Sequence, residues 1–279
     1  MTRASPPEPA GPQEPQELAP VPEGVPEAPL GLNGDFRAHL RANAGSYAVM
    51  FGAAALVAAY GQPRGRRVSA AVLGVGTYAA LTGWAYWAHR LIHTNQWVGD
   101  LPFVRLHRVL HHDDRLGAAL SVENLAFEWA LNFFVLGGVL LLAVPSRLLR
   151  RTVDWGVVLL FATQYSFVHN VSYHLPRHRG FHRRHHEAPQ TNYGPGACDH
   201  IFGTHVGAPE DMTHVVPVVV VSAVVLLLAK RARLAECLPH LLLPRWAVNL
   251  YSFQPFLFPE GVSCCSDGCG PKAHAIGTS

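Results

Sequence analysis

The stretch "VSAAVLGVGTYAALTGWAYWAHRLIH", residues 68–93, decides how the chain is read. Residues 68–88 carry no charge, and the run ends directly on His89. A helix rises about 1.5 Å per residue, so roughly 20 apolar residues cross the ~30 Å core of a bilayer. A soluble helix shows a polar face, and this stretch shows none. It reads as a transmembrane helix that delivers His89 and His93 to the membrane surface. Residues four apart share a helix face, so the two imidazoles project together.

Similar apolar runs lie on either side. Residues 42–63 centre on "YAVMFGAAALVAAY", residues 129–146 contain "FFVLGGVLLLAV", and residues 155–168, "WGVVLLFATQYSFV", run straight into His169. Residues 215–229, "VVPVVVVSAVVLLLA", are shorter and contain Pro217, which leaves a span and a buried or re-entrant segment both open. The expected fold is an all-α integral membrane protein with about four transmembrane helices, a possible fifth apolar segment and a cytosolic, helical, histidine-rich cap. Composition agrees: hydrophobic residues make up 49% and charged ones 15%, against roughly 25% charged in soluble domains. A net charge of +3 makes no case for nucleic acid.

Residues 1–33 hold nine prolines and five glutamates and are expected to be disordered. Residues 34–260 form the membrane domain, with the motifs in 68–206. Residues 261–279, with Cys264, Cys265 and Cys269, form a Gly/Ser-rich tail expected to be disordered.

Eleven of the 17 histidines fall in the windows 89–112 and 169–186. If four helices span, the histidine-bearing ends of 68–88 and 155–168 lie on one side. Arginine favours that side as cytoplasmic, with ten there against six in the opposite loops. The clusters are "HRLIH" (89–93), "HRVLHH" (107–112), "HNVSYH" (169–174) and "HRGFHRRHH" (178–186). His182, His185 and His186 sit at i, i+3, i+4, an arc of about 100° on a helix. In "HRVLHH" the arc widens to about 140°, so His112 needs a local distortion to join His107 and His111. The single histidines His39, His214, His240 and His274 read as interfacial polar residues.

So many imidazoles on one face suggest two metal ions, and imidazole suits iron, zinc, copper and nickel. Carboxylates near the clusters are few, which disfavours a carboxylate-bridged di-iron bundle. A metal transporter would place its ligands inside the spans, whereas these histidines sit at the span ends. That favours an enzyme over a histidine-rich transport or storage protein.

The pattern resembles the fatty acid hydroxylase superfamily, also called the sterol desaturase family, of membrane di-iron oxygenases. "HRLIH" looks like the first box, H-x3-H. "HRVLHH" looks like the second with one extra residue. "HRRHH" with "TNYGPGACDHIFGT" looks like the last box and its signature. "HNVSYH" stands where the family has another histidine pair, and "VENLAFE" ends in Glu128 where the family has H-P-x-E. The departures are Cys198 for a tryptophan, His200 for an arginine, and no H-P pair before Glu128.

The resemblance implies iron ligands at His89, His93, His107, His111, His112, His174, His182, His185 and His186, with His169 and His178 as further candidates. It implies that Glu128, Asn192, Tyr193 and Asp199 support the ligands and close the site. It also implies two iron ions, dioxygen as co-substrate, and hydroxylation of a lipid or other hydrophobic substrate, with desaturation as the alternative outcome. No fused cytochrome b5-like segment is visible, so a separate electron donor of ferredoxin or cytochrome b5 type with its reductase is expected. Richness in alanine, glycine and arginine suggests a bacterial inner membrane.

Overall fold

The computed structural model describes residues 34–102, 104, 105, 107, 122–140, 153–171, 184–207 and 210–231. His111, His112, His174, His178 and His182 lie outside the described residues, as do the two terminal segments expected to be disordered. Among the described residues the fold is all helical, with no strand.

Helices α1 (Gly34–Ala42) and α2 (Ala44–Ala59) meet at a bend of 73°. Asn43 holds it. Its buried amide donates to the carbonyls of His39 (3.1 Å) and Glu210 (2.9 Å) and accepts the Met212 N–H (2.9 Å). The bend is thereby tied to a segment almost 170 residues away. A turn through Gly61, at φ 82°, leads into α3 (Arg67–Thr94). At 28 residues, α3 is about 42 Å long, longer than a bilayer core is thick, and His89 and His93 lie in its last two turns. It packs closely on α2 at Gly74, where a Cβ would strike the Ala54 carbonyl oxygen and the Ala58 methyl at 2.6 Å.

A short helix, α4 (Gln96–Gly99), follows, with Asn95 accepting the Val98 N–H as its cap. Helix α5 (Val122–Leu131) widens into a π-helical turn at Asn132–Leu136. The continuous helix expected over 129–146 is interrupted here: Gly137 closes the turn and Gly138 takes φ 76°. A Cβ at Gly137 would meet the Ala162 backbone at 2.6 Å, so close packing on the next helix demands glycine there. That helix, α6 (Trp155–Asn170), is capped by Asp154 and buried on nearly every side. The core joins Met50, Ala54 and Val57 of α2, Tyr78 and Leu81 of α3, and Leu160 and Phe161 of α6.

Helix α7 (Gly196–Phe202) precedes α8 (Val215–Arg231). The segment 215–229, short by composition, extends to a 20-residue helical stretch, Met212–Arg231. Pro217 falls in the first turn of α8, where a missing N–H costs nothing. Val219 and Ala223 face the bundle, while Val221, Val225 and Leu228 are exposed. By length and composition two helices can cross a membrane, Arg64–Thr94 and Met212–Arg231, or up to three if the bent pair Phe36–Ala42 and Ala44–Ala59 counts as one. At 16 residues, α6 is about 24 Å long and lies inside the bundle.

Candidate metal centre

The C-terminal ends of α3 and α6 lie side by side and bring together histidines far apart in the chain. His89, His93 and His107 place one ring nitrogen each within 4.8 Å of the others. The His185 ring, from a helical turn over 184–187, lies 4.6 Å from that of His89 and 4.9 Å from that of His93. The His169 ring, near the end of α6, is 5.6 Å from His89 and 6.2 Å from His107. His186 is beside them, 6.1 Å from His185. His89, His107, His169 and His185 are buried.

Hydrogen bonds fix which nitrogen of two of these rings can bind a metal. His89 Nδ1 lies 2.7 Å from the Tyr193 carbonyl oxygen, and His185 Nδ1 lies 2.7 Å from that of Thr191. A carbonyl only accepts, so both Nδ1 atoms carry the hydrogen and both Nε2 atoms carry the lone pair. In His89 that Nε2 is buried with no hydrogen-bond partner. A neutral imidazole oriented through its other nitrogen is the usual arrangement of a metal-binding histidine. Burial, then the neighbouring His89, holds the His185 imidazole well below its usual protonation range, which keeps it neutral. A metal–imidazole bond of about 2.1 Å puts two ligand nitrogens at most about 4.2 Å apart, so small side-chain shifts close the triad on an ion.

The loop that supplies both carbonyls is itself clamped. Asn192, at φ 49°, donates to the Val206 carbonyl (3.0 Å) and accepts the Val206 N–H (2.8 Å). Asp199, fully buried on α7, accepts the N–H groups of Tyr193 (2.9 Å) and Gly194 (2.6 Å) and the Thr204 hydroxyl (2.7 Å). Burial pushes its carboxyl up to about 7, against those hydrogen bonds, which favour the charged form. Asn192, Tyr193 and Asp199 therefore act on the ligands through backbone: they hold the Thr191 and Tyr193 carbonyls against His185 and His89. Glu128 is buried on α5, next to Trp129, whose carbonyl accepts the Ser166 hydroxyl of α6. Burial pushes its carboxyl up to about 7.

Residues 75–204 match the family model for fatty acid hydroxylase. Over these residues the chain belongs to the fatty acid hydroxylase/sterol desaturase superfamily. The membership makes the protein an oxidoreductase, of a family whose catalysis depends on iron. No curated protein and no solved structure matches the chain. Within the fatty acid hydroxylase region, the described candidates His89, His93, His107, His169, His185 and His186 gather in one place.

Sequence reasoning missed several neighbours. Tyr165 stacks on His169 with ring centroids 5.7 Å apart, and its hydroxyl is 3.5 Å from His89 Nδ1. An aromatic one turn before a histidine carries no signal of its own. His39 and His214, read as interfacial, are both buried. Helix α1 packs on α7, so the His39 ring sits 4.5 Å from that of His200.

Proposed function

We propose that the protein is a membrane oxygenase that hydroxylates a C–H bond of a lipid or similarly hydrophobic substrate at a centre of two histidine-held iron ions. The observation that carries this reading is the pair of imidazoles, His89 and His185, each with Nδ1–H held by a backbone carbonyl so that Nε2 is the metal-donor nitrogen. His93, His107 and His169 join them in the described cluster. His111, His112, His174, His182 and His186 are the further ligands implied by the motifs. Nitrogen donors of this kind suit iron.

Iron bound there supplies the activation of dioxygen. The protein's part is to hold the imidazoles neutral, to keep water from the buried cluster and to present the substrate from the bilayer. Exposed Trp84, Trp87 and Trp97 near the histidine end of α3 support a position at the membrane interface, where tryptophan concentrates. Arg90 lies over the Trp87 ring at 5.2 Å, and its charge suits lipid headgroups. Four spans with the histidines on the cytoplasmic face of a bacterial inner membrane fit the arginine distribution. Electrons then come from a separate ferredoxin or cytochrome b5-type donor and its reductase.

Labelled dioxygen tests the reaction. Membranes expressing the protein should form a lipid carrying one labelled hydroxyl oxygen, absent with the His185→Ala variant. A new alkene without label would assign desaturation instead. Identical lipids with and without the protein would reject both.

A further inference from the structure

A second group of titratable side chains gathers outside the ligand cluster. His39, His200, Glu210 and His214 are buried, and His205 is half-buried. The His205 ring stacks on His200 with centroids 4.0 Å apart, and His200 lies 4.5 Å from His39. The His39 ring lies 3.3 Å from the Asn43 amide at Nδ1 and shares a hydrogen bond with the Tyr47 hydroxyl at Nε2 (2.8 Å). The His39 ring and the Glu210 carboxylate both abut Gly196, where a Cβ would collide with Glu210 Oε2. A side chain there would push that carboxylate aside.

Glu210 and His214 form an unusual pair. His214 Nδ1 lies 2.6 Å from the Asp211 carbonyl oxygen, so it carries the hydrogen. Its Nε2 then faces Glu210 Oε1 at 3.8 Å. A neutral imidazole and a carboxylate would present two lone pairs to each other in a buried place. A proton held by either member turns that conflict into an attraction. Glu210 also lines a cavity of about 20 Å³ with Gln164, Tyr165, Val168, His169 and Met212. That is room for one water, with several polar partners. The cavity joins Glu210 to the His169 side of the metal centre.

We propose that Glu210 and His214 are a proton-loading pair for the metal centre, passing protons through a water in this cavity, with His205 and His200 as the outer end of the route. The proposal rests on the oxidation reaction above. Hydroxylation breaks a C–H bond, places one oxygen atom in it and releases the other as water. It consumes two protons, with two electrons from the external one-electron donor. Desaturation removes two hydrogen atoms from the substrate and releases two waters, and it consumes the same two protons and two electrons. Either outcome therefore needs a proton route to a buried site.

The full-length protein in lipid nanodiscs tests this in two arms. In metal-free protein, the infrared difference between wild type and Glu210→Gln should isolate a carboxyl signal that His214→Gln shifts. A signal that His214→Gln leaves unmoved overturns the pair. In iron-loaded, chemically reduced protein, Glu210→Gln should keep its iron but be reoxidised by dioxygen on the order of a hundredfold more slowly. It should lose the solvent deuterium effect seen in wild type and leak peroxide, and Glu210→Asp should recover most of the rate. Wild-type rate and peroxide yield at full iron content overturn the route. Protein that takes up no iron overturns the metal reading and the destination of the protons, while the infrared arm still reports whether the pair shares one.

Discussion

At the scale of single residues, the site depends on where hydrogens sit. His89 and His185 can bind metal through Nε2 because the Tyr193 and Thr191 carbonyls hold Nδ1–H. Replacing His89 or His185 by alanine should remove most bound iron. Asp199→Asn keeps the shape but turns a donor toward backbone N–H groups. It should weaken iron binding about 10–100-fold, as losing an outer hydrogen-bond partner of a metal ligand typically does, and a metal titration reads this directly. Because the folded state keeps His185 neutral, the unfolded chain binds protons that the folded one refuses. Stability of the metal-free protein should therefore fall as pH drops below the ordinary histidine value of about 6.5. His185→Gln should flatten that slope in thermal melts across pH. The clustered histidines were legible from spacing alone. The carbonyls that orient them were not, because every residue has one. Nor were His39 and His214, since a lone histidine has no spacing to read.

At the scale of elements, close helix approaches and one buried amide set the architecture. Gly74 lets α3 lie against the Ala54 carbonyl. Gly74→Val should cost about 1–3 kcal/mol through overpacking, visible as a lower melting temperature in detergent. Asn43→Ala leaves the Met212 N–H without the acceptor it has now. That should cost about 1–3 kcal/mol and loosen α8 against α2, which hydrogen exchange at Met212 would detect. The helix 68–93 was plain from its sequence, because absence of charge over that length has few other solutions. The 129–146 run misled, because apolarity does not reveal that Gly137 and Gly138 end the helix. The 215–229 run looked short because its helix begins with the polar turn Met212–His214.

At the scale of the whole molecule, the helix ends explain why the family motifs lie so far apart in sequence. α3, α6 and the 184–206 loop converge at one end of the bundle, so motifs from residues 89 to 199 meet there. The proposed placement of that end on the cytoplasmic face predicts a labelling pattern. In a background with the tail cysteines replaced by serine, Trp97→Cys should react with an impermeant thiol reagent only after the cytoplasmic side is opened. Arg64→Cys, at the opposite end of α3, should react in intact cells. The reverse pattern would invert the topology.

Iron content of the purified protein decides whether this histidine cluster holds two iron ions. Wild-type protein, loaded anaerobically and desalted, should retain about two irons per chain, and the His89→Ala and His185→Ala variants, folded to the same extent, should retain far fewer. Stable wild-type protein that keeps no iron, or variants that keep as much as wild type, would rule out a di-iron centre held by these histidines.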